Sequence, residues 1–279
     1  MRLSAAEFRS WDNKRITLIG MPGVGKTDLA KTLSRDSWFH YSVDYRIGTR
    51  YLDESILDDV KQHAMNVPYL RDLLLSDSIY IANNITVDNL HPVTSFLGMV
   101  GDPERGGLSL TEFRRRQNLY RRAEIEALRD VPDFIDKARR IYGYENFVIG
   151  SSGSMCDLDA SEVIDVLAEH SVVIYLKVSD CDVDPLLDRA RAEPQPFFYR
   201  EPFLNAQLAT YMEEQNLPYA ALIDPAEFGA WVVPRLLRDR VPRYEAIAEQ
   251  HGYTLESKDV HAVNSESDFF DLVESVLPA

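Results

Sequence analysis

Apolar residues in this chain fall into short runs separated by longer stretches in which they recur every three or four positions. The run RITLIG (15–20) is short, β-branched and closed by a glycine, the mark of a buried strand. FHYSVDY (39–45), NFVIG (146–150), SVVIYLKV (171–178) and GYTLES (252–257) repeat that character and predict four more strands. Between them the period changes. KTDLAKTLSRDS carries Leu29, Ala30 and Leu33 on one face, LDASEVIDVLAEH separates the third strand from the fourth, and SESDFFDLVESVL reads as a capped terminal helix. Strands alternating with helices predict a three-layer αβα core around a five-stranded parallel sheet.

About a hundred residues, roughly 46 to 145, separate the second strand from the third, too many for a plain crossover. Helical patterns fill them (SILDDVKQHAM, VPYLRDLLL, SLTEFRRRQNLYRRAEIEALRD, VPDFIDKARRIYG), with a glycine-rich break at GDPERGG. The expected division is a core of 1–45 and 146–279 and an inserted helical lobe over 46–145. A proline- and arginine-bearing stretch, 182–203, predicts a mobile loop acting as a lid. There are no internal repeats.

The charge count, 30 − 45 = −15, argues against nucleic acid or an anionic membrane as partner, both of which need a basic footprint. Two cysteines, Cys156 and Cys181, make no disulfide framework or metal motif and are expected to be small buried hydrophobes. The start, MRLSAAEFRSWDNKR, lacks the apolar centre of a signal peptide, and the best apolar run is too short to span a bilayer, so a cytoplasmic protein is expected. The six histidines show no ligand spacing.

The chemistry concentrates in GMPGVGKT. Gly20, Gly25, Lys26 and Thr27 meet the spacing G-x-x-x-x-G-K-[ST], after a strand and at the start of a helix, as that motif requires. Its glycines let backbone N–H groups point inward around phosphate oxygens, and the helix start adds partial positive charge. Gly20, Met21, Pro22, Gly23, Val24, Gly25, Lys26, Thr27 and Asp28 are therefore read as the nucleotide-binding residues, with ATP as ligand. Lys26 would reach the β/γ-phosphates and the Thr27 hydroxyl would ligate Mg²⁺. Asp44 ends the second strand, placed to meet an acceptor hydroxyl. NFVIGSS ends in glycine and serines with no acid, and neither Asp180 of VSD nor Asp224 of ALID sits in a clear Asp-Glu pair of the kind a P-loop hydrolase carries.

Order and spacing resemble the shikimate kinase family of P-loop kinases. In YSVDYRIG, Ser42, Asp44 and Ile47 fall on an F-x-D-x-D-x-x-I-E pattern, with serine at the first acid. FRRRQ resembles the family's F-R-x-x-E helix, matching Arg114 to its substrate-binding arginine and putting Gln117 at the glutamate. VIGSSGS keeps Gly150 and Gly153 of a triple glycine; RAEPQPFF resembles the lid, with Arg191 at its first arginine and Gln195 at its second. RVPRYEAIA matches Arg240, Pro242, Tyr244 and Ala248. The resemblance implies ATP-dependent phosphorylation of a hydroxyl on a small anionic molecule. It assigns Lys26, Asp44 and Arg191 to catalysis, and Asp44, Arg114, Gly150, Gly153 and Arg240 to the acceptor. Thr27 and Ser42 go to the metal, the serine through a bound water. Two other readings stay open: a P-loop ATPase or nucleotide-gated interaction protein whose lobe binds a macromolecule, and a nucleotide or nucleoside kinase using Tyr41, Tyr45 or Tyr51 to stack a base.

Overall fold

A computed structural model of the protein describes residues 1–34 and 37–278. Its sheet has five parallel strands, β1 (Arg15–Ile19), β2 (Trp38–Ser42), β3 (Asn146–Gly150), β4 (Val172–Lys177) and β5 (Gly252–Glu256), in the order β2-β3-β1-β4-β5. This is the expected P-loop αβα core. β1 is central and buried from Ile16 onward, on both faces of the sheet, and its one buried polar side chain, Thr17, bonds the Ser171 hydroxyl. Register levels the strand ends: Gly150 pairs with Leu18 on one side and Ser42 on the other. The segments leaving β1, β2 and β3 therefore emerge side by side at the carboxyl edge, where open α/β sheets bind ligands.

The chain begins with α1 (Ala5–Ser10), opened by a capping box between Ser4 and Glu7. α2 (Lys26–Leu33) follows β1, and Arg35 and Asp36 of the expected helix lie outside the described residues. After β2 come α3 (Val43–Arg46), a π-helical turn (Ile47–Tyr51), α4 (Asp53–Ala64), α5 (Pro68–Leu75), α6 (His91–Leu97), α7 (Leu110–Arg129) and α8 (Val131–Tyr142). The segment between β2 and β3 is thus mostly helical. The rest of the chain supplies α9 (Ser161–His170), α10 (Asp180–Ala192), α11 (Glu201–Glu214), α12 (Pro225–His251), α13 (Ser257–Val260) and α14 (Glu266–Glu274), the last begun by a Ser265/Asp268 capping box.

Apolar packing groups the elements in two clusters. One hydrophobic cluster surrounds the sheet and takes in α6, α7 and α8 through Val93, Tyr120 and Val131. A second joins Val100 and Phe113 of the insertion to Tyr199, Phe203, Leu208, Phe228 and Val232. The lobe is therefore built from two separated stretches, because α11 and the first half of α12 turn their apolar faces to the insertion rather than to the sheet.

The 182–203 stretch is also not the irregular loop its prolines suggested. Only Pro185 lies within α10; Pro194 and Pro196 follow the helix in an extended strap, and Pro202 sits in the first turn of α11, where a missing N–H costs nothing. Cys156 is buried as expected, whereas Cys181, in the first turn of α10, is exposed. Among the described residues, no helix is long and apolar enough to cross a membrane.

Candidate active site

The P-loop turns sharply from β1 into α2. Gly25 is the residue before α2, at φ 91°, ψ 5°, a left-handed conformation in which a side chain would be strained. The loop is backed by the segment after β3: a Cβ on Gly153 would lie 2.4 Å from Pro22 Cγ, so only glycine lets the two backbones approach. Lys26 is buried at the start of α2, and its Nζ donates to the carbonyl oxygens of Gly20 (2.6 Å) and Met21 (2.8 Å). Burial lowers its pKa to about 8, against the opposing pull of Asp44.

Asp44 stands across a cavity of about 450 Å³ from this loop. Its position is set locally: the Ser42 hydroxyl caps α3, accepting from Tyr45 N at 3.2 Å, and turns the chain so that Asp44 falls in the first turn. The residue keeps some surface because it faces the cavity, while protein atoms crowd it on the other sides. Burial raises its carboxyl pKa; Lys26 and the Tyr120 hydroxyl, which donates at 3.4 Å, act the other way. Pro22, Gly23, Gly25, Lys26, Thr27 and Asp28 form one wall of the cavity, and Asp44, Ser151, Gly153 and Ser154 line its sheet side. Gly20, Met21 and Val24 shape the loop from behind without lining the cavity; Met21 and Val24 are buried.

Several expected residues stand elsewhere. Arg114 is exposed and donates to Asn205 Oδ1 (2.7 Å), away from the cavity; three consecutive arginines on a helix point in different directions, and this one points out. Arg191 is exposed and paired with Asp188 (3.0 Å); Arg189 is the α10 arginine that lines the cavity, its Nη1 3.8 Å from where a Gly23 Cβ would be. Gly150 ends β3 beside His40 and does not line the cavity. Ser42 does not line it either, its hydroxyl being engaged as the cap.

Arg240 does reach the cavity, but as part of its frame. Its Nε donates to Asp157 Oδ2 (2.7 Å), Nη1 to the Gly153 carbonyl (2.8 Å) and Nη2 to the Phe198 carbonyl (2.7 Å). Both members of the ion pair are 1% exposed. Burial opposes the charge on Arg240, and Asp157 more than restores it.

Some contributors were not read from the sequence. Gln117, which falls on the family's glutamate position, pins the strap: its amide donates to the Phe197 carbonyl (3.0 Å) and accepts from Tyr199 N (2.7 Å). A carboxylate would make only the second bond. Tyr120 lies flat on Phe198, ring centroids 5.9 Å apart and 22° from parallel. Below it, fully buried Glu124 accepts from the Ser152 and Ser154 hydroxyls, and burial raises its pKa to about 7 against those bonds. A signal existed: the aromatic-Arg-x-x-acid pattern sought at Phe113 recurs seven residues later as Tyr120-Arg121-x-x-Glu124, and its first member, Tyr120, lines the cavity.

No protein-family model and no curated protein matches the chain. Among solved structures it is similar to shikimate kinase from Bacteroides thetaiotaomicron, at 16% identity over 94% of this chain and 95% of that one, with a TM-score of 0.44. It is also similar to shikimate kinase from Acinetobacter baumannii in complex with shikimate, at 16% identity over 97% and 93%, with a TM-score of 0.38.

Proposed function

We propose that the protein transfers the γ-phosphoryl group of ATP, with Mg²⁺, to a hydroxyl of a small molecule. The observation that carries this reading is that the P-loop residues Lys26 and Thr27 and the carboxylate of Asp44 open onto one cavity. The donors suit a nucleotide. Lys26, Thr27 and Asp28, the first residues of α2, line the cavity, where a helix start favours an anion, and the Lys26 ammonium hydrogen-bonds to two loop carbonyls. Thr27 is exposed to the cavity, so its hydroxyl would hold Mg²⁺, with water completing the shell; the Ser42 hydroxyl is engaged as the α3 cap and does not line the cavity. When bound, Mg²⁺ neutralises charge on the phosphate oxygens.

The chain's own groups divide the remaining work. The P-loop amides and Lys26 hold the phosphates, and Arg189 stands beside the loop from α10. Asp44 orients the acceptor hydroxyl and takes its proton as the oxygen bonds to the γ-phosphorus and the β,γ-bridging oxygen leaves with ADP. Its raised pKa suits a base that must hold that proton. ADP release, followed by a coupled assay across a set of small hydroxylated compounds, tests the reading: an acceptor-dependent rate supports it.

A second reading, an ATPase gating an interaction, draws on one observation. No residue of α5 is buried, and Tyr69, Leu75 and Tyr80 are 72%, 70% and 89% exposed. ADP release at the same rate with and without every acceptor favours that reading.

A further inference from the structure

The acceptor end of the cavity has a chemical character of its own, and its recognition rests on the kinase reading above. On one side Leu90, Val93 and Leu97, spaced for a single helix face, line it with the Thr94 hydroxyl as the polar group among them. This wall is fixed closely: Gly48 of the π-helical turn would, with a Cβ, lie 2.6 Å from Val93 Cγ2, so the glycine lets α6 sit against the turn. The stacked rings of Tyr120 and Phe198 also line the cavity.

Charge points the same way. Lys26 and Arg189 stand at the phosphate end. Arg240 is already neutralised by Asp157 within hydrogen-bond distance. Arg114 and Arg121 line a different pocket on the far side of the strap, with Arg121 donating to the Leu158 carbonyl. What remains at the acceptor end is Asp44, with Glu124 buried beneath. A carboxylate or phosphate placed there would lose water, gain no free cation and face an acid. Ser151, Ser154 and Gln195 also line the cavity, but the two serine hydroxyls already donate to the Ser152 carbonyl and to Glu124; a compound rich in hydroxyls would leave those that face leucine, valine and aromatic carbon unpaired.

We infer that the acceptor is an uncharged alcohol on an apolar, ring-sized body: its single hydroxyl meets Asp44 and its body packs between α6 and the Tyr120–Phe198 pair. This departs from the anionic acceptor that the family resemblance implied.

The test uses three matched probes: cyclohexylmethanol, 4-(hydroxymethyl)cyclohexanecarboxylate and 4-(aminomethyl)cyclohexylmethanol. Their binding to the full chain loaded with ADP and Mg²⁺ is measured by calorimetry, and ADP release from ATP is followed in parallel. The neutral alcohol should bind at least about tenfold tighter than the acid, and than the amine whose ammonium, at the opposite end of the ring from the hydroxyl that meets Asp44, is set among apolar side chains, as loss of roughly 1.4 kcal/mol on burying an uncompensated charge would give. Leu90→Lys, at a half-buried position on the α6 wall, should narrow or reverse the preference for alcohol over acid while ATP affinity holds. Equal or tighter binding of the acid or the amine overturns the inference, as does failure of all three to bind at millimolar concentration. The kinase reading fails separately: selective binding of the neutral alcohol without acceptor-dependent ADP release removes the transfer and keeps the ligand class. Phosphorylation of the acid in preference to the alcohol does the reverse.

Discussion

Lys26 is folded back so that its Nζ donates to the carbonyl oxygen of Gly20 at 2.6 Å, the cation resting on the loop it belongs to. Phosphate oxygens are stronger acceptors than carbonyls, so on the kinase reading a bound nucleotide would draw the lysine off Gly20 and Met21. Lys26→Ala should weaken ATP·Mg²⁺ binding by roughly 10- to 100-fold, the worth of a charge-assisted hydrogen bond of about 1.5–3 kcal/mol. Calorimetric titration of both proteins measures this, and equal affinities would mean that the loop does not hold phosphate.

Glu124 should make stability depend on pH. Its pKa is about 7 in the folded protein against 4.5 ordinarily, so the fold binds this proton more tightly than the unfolded chain does. The stabilisation is complete below pH 4.5 and is lost as pH rises through 7. Glu124→Gln keeps the shape and removes the titration. Thermal melts from pH 4.5 to 7.5 should show a smaller fall in Tm with rising pH in the variant than in the parent; parallel curves would show that Glu124 does not titrate in this range.

Gln117 holds the strap from both sides of Phe198, with bonds of 3.0 Å to Phe197 O and 2.7 Å from Tyr199 N. Gln117→Glu removes the donor and sets a carboxylate against a carbonyl. The expected loss is about 1–3 kcal/mol, the desolvation penalty of an unsatisfied buried group, with faster hydrogen exchange at the Tyr199 amide. Unchanged exchange there would show that the strap is fixed by its buried aromatics alone.

The sequence carried the sheet and the P-loop because both are local. Ile16, Leu18 and Ile19 are buried because β1 is central, and the glycine spacing before Lys26 is a backbone requirement written in adjacent residues. It carried the acceptor side poorly because that side is made by contacts at long range. Nothing near Glu124 indicates Ser152 and Ser154, which follow it by 28 and 30 residues. Arg114, Arg115 and Arg116 are equivalent as letters. On the helix, Arg114 bonds Asn205, Arg115 bonds Glu112, and buried Arg116 pairs with Asp59, so none serves the cavity. Pattern matching chose the first register of the aromatic-arginine motif, and packing chose the second. The prolines after Ala192 likewise made α10 look irregular, although only Pro185 lies inside it.

The central claim is that Asp44 acts on an acceptor across the cavity from a bound nucleotide. The most direct test follows the γ-phosphoryl group itself, using γ-labelled ATP with Mg²⁺ and a mixture of small neutral alcohols, in the parent protein and in Asp44→Asn. Label is predicted to appear in an organic phosphate ester, and its formation should fall by roughly 10²–10⁴-fold in Asp44→Asn, the worth of a general base, while ATP affinity changes little. Label appearing only in inorganic phosphate, at a rate indifferent to the alcohols and to Asp44→Asn, would contradict the account.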